Sequence, residues 1–194
     1  MTYDDAHHPA AAEALEEYCQ HAIETMTTHG GMMPAPTVYM FSGDGEHLDS
    51  LQGYVIARPS HSGGDAGDAI RQLGLLPGVL RCDRIVIAWE HRTTATLLGR
   101  GGDHQTGIAA VEAARDHRVV TWRPFTVHHG DYGIHGTRSM IATWGRAQEL
   151  RTRLPVPIAD AVRVWTNASC ASITSTVAKL EAAGYLVSLF HEGW

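Results

Sequence analysis

Apolar residues near the start of the chain recur at helical spacing, whereas in several short segments between residues 37 and 127 they alternate or run together as strands do. Ala11, Leu15, Tyr18, Ala22 and Met26 fall three or four apart, and Cys19 and Ile23 widen the same stripe. That spacing predicts an amphipathic helix from Pro9 to His29. Asp4 and Asp5 sit near its positive end, and Gly30-Gly31 supply a left-handed stop. After Pro34 and Pro36, Thr37 to Phe41 reads as a strand, and Ser42 to Gly45 as a turn. A second strand, Leu51 to Arg58, is expected to return antiparallel to the first. A Ser- and Gly-rich loop, Pro59 to Gly67, leads into a helix from Asp65 to Leu76 that Pro77-Gly78 should end.

Ile85, Val86, Ile87 and Trp89 make Arg84 to Glu90 a buried strand. Beyond a Gly99 to Gly102 loop, strands are expected at Gly107 to Ala114 and Val119 to Val127, with Asp116-His117 placed for a hairpin turn. His128 to Gly136 reads as a loop, and helical spacing resumes from Thr137 to Arg153, halted by Pro155 and Pro157. Helices are expected again at Ile158 to Trp165 and Ser169 to Ala183, then a strand at Tyr185 to Phe190.

The resulting order, α-β-β-α-β-β-β, predicts an α/β (α+β) fold built on a helix-backed, mostly antiparallel sheet. The expected organisation is a sheet domain over residues 1–130 and a helical C-terminal subdomain over 137–194 packed on it. Over about residues 9–127 the order is similar to that of roadblock- or profilin-like domains. This resemblance is one of topology and carries no function.

Composition narrows the class. With 44% hydrophobic residues a real core can be buried, and no stretch has the length of uncharged apolar sequence that a membrane span needs. The acidic N-terminus lacks the basic-then-apolar pattern of a secretory signal, so a cytoplasmic protein that does not engage membranes is expected. Cys19, Cys82 and Cys170 form no CxxC pair and read as buried, inert thiols. The net charge of −6 is unevenly spread: residues 1–136 are strongly acidic, whereas 137–194 carry six basic and four acidic groups.

The basic C-terminal stretch holds the most pointed motif. Ile158 to Trp165, the turn Thr166-Asn167-Ala168, then Ser169 to Gly184 and Tyr185-Leu186-Val187 resemble a winged-helix unit. Leu180-Glu181-Ala182-Ala183-Gly184-Tyr185 matches the phrase that often closes the recognition helix of that family. The resemblance implies that Thr137 to Arg153 serves as the preceding helix, and that Ser172, Ser175, Thr176 and Lys179 face DNA with Arg163 nearby on the backbone. The same residues also suit a helical hairpin and strand packed on the sheet. The face has one cation and no Arg, Asn or Gln for bidentate base contacts.

A second constellation is His128, His129, Asp131 and His135, whose imidazoles and carboxylate suit zinc, iron or manganese. A divalent metal there is the one cofactor the sequence suggests, although the spacing matches no metal motif and loop histidines are commonly just solvated. Ser60 to Gly67 lies where a phosphate loop would, but it lacks Gly-Lys-Ser/Thr, and Asp65 reads better as a helix N-cap. Ser62 has no nucleophile elbow around it, and Glu90 and Glu112 are isolated strand carboxylates. Trp89, Trp122, Trp144 and Trp165 read as core or sheet-face residues, while Phe190 and Trp194 form an apolar end suited to docking.

Taken in this order, the residues predict a non-enzymatic binding or regulatory protein acting through a protein–protein surface, toward a protein partner or a second copy. The alternatives are a DNA-binding regulator using residues 137–194 and a metal-dependent hydrolase using the histidine loop at 128–135.

Overall fold

The computed structural model describes residues 9–28, 33–43, 50–99, 105–132, 138–167 and 171–190. Its strands begin where β-branched and aromatic residues cluster: β1 (Thr37–Ser42), β2 (Ser50–Ile56), β3 (Arg84–Glu90), β4 (Gly107–Ala114) and β5 (Arg118–Tyr132). With β6 (Arg138–Trp144), β7 (Gln148–Glu149) and β8 (Leu186–Leu189) they form one eight-stranded sheet. The order is β6-β5-β4-β3-β1-β2-β8, with β7 paired to β5 off this path, and the pairs are antiparallel. Helices flank the sheet. The chain is therefore a mixed α/β protein on an antiparallel sheet, with helices in its C-terminal part as well.

Alternation along the strands assigns side chains to two cores. On one face Tyr39, Phe41, Val86, Ala88, Ile108, Ala110 and Phe125 meet Ala14, Tyr18, Cys19 and Ala22 of α1 (Pro9–Thr28). Of the expected stripe, Tyr18, Cys19 and Ala22 are buried and Leu15 and Ile23 partly buried, and the Tyr18 hydroxyl donates to the Pro34 carbonyl at 3.2 Å. On the other face Val38, Met40, Ile85, Ile87 and Val111 are covered by α2 (Gly64–Arg71), a 3₁₀ turn (Gln72–Gly74), α3 (Leu75–Val79), α5 (Val156–Thr166) and α6 (Ile173–Ala182). Each fully buried side chain of this size contributes about 1.5–3 kcal/mol.

Polar anchors fix these helices. Trp165 Nε1 donates to the Cys82 carbonyl at 3.1 Å, and the Tyr185 hydroxyl to the Ala69 carbonyl at 2.9 Å. At Gly74 the 3₁₀ turn runs against α5 so closely that a Cβ would lie 2.0 Å from the Ala161 carbonyl oxygen.

Several expectations need correction. Pro77-Gly78 does not end a helix: it lies inside α3, where Pro77 is the third residue and its missing N–H would have had no intrahelical partner. Asp65 is not the N-cap of α2, a place taken by Gly63 at φ 85°. It sits in the first turn, pairs with Arg58 and accepts the His61 N–H at 2.7 Å. The hairpin turn falls one residue earlier than expected, closed by the Ala114 N–H donating to the His117 carbonyl at 2.9 Å.

His128, His129 and Asp131 are not in a loop. The β5 strand runs through them to Tyr132 because β6 pairs alongside, with a register shift between His129 and Tyr132. The helix expected from Thr137 to Arg153 is instead β6, β7 and irregular chain. Short apolar runs fit either period, and here Ala142 and Trp144 take the strand spacing that packs them on the α1 core. An unforeseen helix, α4 (His91–Leu97), follows β3 directly.

Candidate functional site

The site begins with a register. Trp89 on β3 lies opposite Ala109 on β4, and Ala109 lies opposite Trp122 on β5. All three face the side of the sheet that carries α2, α3 and α5. The two tryptophans therefore stand two strands apart with Ala109 between them, their backbones about 10 Å apart at roughly 4.8 Å per strand. Val120 extends this floor along β5.

Gly107 permits the arrangement. A Cβ there would fall 2.4 Å from the Trp122 ring, so the indole lies directly over the glycine. His91, the first residue of α4, meets the Trp122 ring edge-on, with centroids 5.4 Å apart at 83°. The segment after β6 supplies the far wall. Leu150, Thr152, Leu154 and Pro155 line it, held to the sheet by β7 and by the Leu150 N–H donating to the Val120 carbonyl at 2.8 Å.

Together these groups line an open cavity of about 460 Å³, within the range of small-molecule sites. Its polar lining consists of His91, Gln105, Gln148 and Thr152. Trp89 borders it while only 2% exposed, and its Nε1–H has no hydrogen-bond partner among the described residues. Burying such a donor unpaired costs about 1–3 kcal/mol, so native structures rarely leave one without a purpose.

Glu90 holds the rim together. Its carboxylate, almost wholly buried, accepts the backbone N–H groups of Arg92 at 3.0 Å and Thr93 at 2.5 Å, capping α4. It also accepts the Gly107 N–H at 3.3 Å, tying α4 to β4. This explains how the threonine-rich stretch His91–Leu97 forms a helix against its propensity. Glu112 is likewise engaged, accepting from Arg84 at 2.6 Å.

The residues proposed from sequence lie elsewhere. Arg163, Thr176 and Lys179 come together around a second groove of about 550 Å³, walled by Leu75, Val79 and Val164. Arg163 pairs with Asp160 at 2.8 Å. Ser172 and Ser175 are exposed on the same helix and its start. The hydroxyls of Ser175 and Thr176 donate to the Ser172 carbonyl at 3.0 and 2.9 Å, and Thr176 is buried. No helix occupies Arg138–Trp144, so the element expected to precede a winged-helix pair is a strand.

Of the histidine set, His128 is exposed on β5 and His135 lies outside the described residues. Among the described residues no group of three metal-ligating side chains converges. Burial pushes the Cys19 thiol up to about 11 and the Cys82 thiol up to about 12, so both stay protonated at neutral pH. Cys170 lies outside the described residues. Phe190 is half exposed and packs edge-on against Tyr54, with centroids 5.8 Å apart, while Trp194 lies outside the described residues. No described helix is long and apolar enough to cross a membrane.

Sequence reasoning named Trp89 and Trp122 only as core or sheet-face residues. The signal that pairs them is the register Trp89–Ala109–Trp122, which exists only once the strands are aligned. No family model matches this chain, and no curated protein and no solved structure matches it either.

Proposed function

We propose that this is a non-enzymatic, ligand-binding regulatory protein whose cavity between Trp89 and Trp122 holds a small molecule. The observation that carries the reading is a cavity of about 460 Å³, the size of a small-molecule site, lined by both indoles. Two indoles, an imidazole, two carboxamides and a hydroxyl line it beside apolar side chains, a set that recognises a ligand by shape and hydrogen bonds.

A thermal-shift screen of small aromatic and polar metabolites tests this. A ligand at a hundred times its Kd adds about 2.7 kcal/mol, which is roughly 5–10 °C for a chain of this length. Ala109→Leu fills the slot between the indoles and should abolish that shift. A ligand response that survives Ala109→Leu would place binding elsewhere and end the reading.

A protein partner is the second reading, favoured by the edge of the sheet. Among the described residues β8 pairs with β2 alone, and Leu186 and Phe190 beside that edge are each about half exposed. An unpaired strand edge with apolar side chains suits addition of a further strand from a partner or a second copy. Sedimentation of the chain and of Leu186→Lys distinguishes these cases. A monomer in both, with no change in solubility, would remove the second-copy version.

A further inference from the structure

We infer that a cleft between α1 and strands β1 and β2 binds an organic cation, an ammonium group held by the Glu17 carboxylate and by Tyr39 and Tyr54. The cleft lies on the α1 side of the sheet and shares no residue with the cavity that Trp89 and Trp122 line. Its wall is one side of α1, where Glu17, His21 and Glu24 follow at helical spacings of four and three. Its floor is Tyr39 on β1 and Tyr54 on β2, partners across the ladder with ring centroids 6.1 Å apart at 52°. At about 210 Å³ the cleft is smaller than drug-sized sites and suits a single charged group.

Tyr39 is the residue that points to a ligand. It is only 4% exposed, yet it borders the cleft. Its hydroxyl makes no hydrogen bond to the described residues, and it is not one of the polar atoms sealed from solvent. The little of Tyr39 that stays accessible therefore includes this hydroxyl, and the cleft is the space it opens on. A phenol oxygen can accept as well as donate, so it can satisfy an ammonium N–H. Burial first, then the neighbouring Glu17 carboxylate, push the Tyr39 hydroxyl above its ordinary range, which puts that negative charge close by. Glu17 is exposed and has no ion-pair partner among the described residues. No lysine or arginine is among the described residues that line the cleft. A cation there gains a carboxylate, a phenol oxygen and aromatic rings together. A metal ion does not suit the same place, because Glu17, His21 and Glu24 do not converge as a ligand set.

The test titrates the intact chain, its tyrosine rings labelled with ¹³C, with n-butylammonium chloride and with n-butanol, a neutral molecule of the same length, at constant ionic strength. n-Butylammonium should move the Tyr39 and Tyr54 ring signals saturably, and n-butanol should not. Binding should weaken roughly two- to fivefold in Glu17→Gln, which removes one exposed charge. It should weaken about tenfold in Tyr39→Phe, which removes only the hydroxyl and is read at Tyr54. Should Tyr39→Phe fail to fold, Glu17→Gln at its exposed position decides. A capped lysine amide separates the two sources of such a cation: binding equal to that of n-butylammonium indicates a partner's basic side chain, and binding of n-butylammonium alone a free amine. Ring signals that move alike for n-butanol, or equally for magnesium chloride, overturn the inference, as does binding left unchanged by both substitutions.

Discussion

Gly107→Ala tests the architecture of the cavity with one methyl group. The added Cβ would sit 2.4, 2.5 and 2.8 Å from three atoms of the Trp122 six-membered ring, where carbon contacts normally begin near 3.5 Å. The indole must shift by about 1 Å or more. Its neighbour His91 blocks one side, so the cavity is the space into which it can move. Overpacking of this kind costs about 1–3 kcal/mol, offset by about 0.4–1 kcal/mol from a stiffer unfolded chain. The net loss of about 0–2.5 kcal/mol corresponds to a fall in Tm of up to about 10 °C.

Gly64→Ala is the matched control. Nothing lies within 4 Å of its Cβ, and the residue begins α2, so the same chemical change should be neutral or stabilise by about 0.5 kcal/mol. Thermal unfolding by circular dichroism gives the stabilities, and the Trp122 indole signal reports the displacement. If Gly107→Ala proves as benign as Gly64→Ala and leaves the Trp122 signal unmoved, the account of how the slot is floored is wrong.

Three further outcomes follow from the same structure. Glu90→Ala strips an acceptor from the N–H groups of Arg92, Thr93 and Gly107 and should cost about 2–4 kcal/mol, with hydrogen exchange accelerated at those amides; unchanged protection there would refute the capping role. Trp165→Phe leaves the buried Cys82 carbonyl unpaired and should lower the urea midpoint by an amount equivalent to about 1–3 kcal/mol, without changing the m-value. The thiols predict an alkaline limb. Cys19 and Cys82 titrate at about 11 and about 12 when folded, against 9.0 ordinarily, so above pH 9 the unfolded chain gives up protons that the folded one keeps. Stability should be full below pH 9 and fall through pH 11. Cys82→Ala should flatten that fall, and an unchanged slope would contradict the burial argument.

The strands that sequence locates best are those whose residues prefer no other state. Ile85, Val86, Ile87 and Trp89 leave a helix little to offer, and the observed β3 has the expected bounds, as does β4. The α1 stripe is equally plain, since its period is sustained from Ala11 to Met26, about four turns. Arg138–Trp144 lacks both advantages: it is short, and its strand state is decided by the neighbouring β5 edge, a tertiary effect. His91–Leu97 is helical because of a carboxylate that also reaches a glycine seventeen residues away, a distance that local propensity does not see. The candidate cavity was hidden for the same reason. Its composition is ordinary in sequence, and its meaning lies in cross-strand register and in Gly107 beneath Trp122.

The pairing of β2 with β8 has a consequence for biosynthesis. The strand that covers the outer edge of β2 emerges about 130 residues after it, so at ribosomal rates of roughly 5–20 residues per second that edge waits some 7–26 s. The sequence of β2 suits the wait. Gln52 is an extra residue in its ladder with β1, forming a bulge, and Gly53 takes φ 153° beside it. When β8 arrives, the Ser188 carbonyl oxygen stands only 2.1 Å from where a Cβ on Gly53 would be, and the Gln52 carbonyl accepts the Phe190 N–H at 2.9 Å. One kink thus serves twice: in the nascent chain it discourages a stranger's strand, and in the finished molecule it is the shape that admits the chain's own.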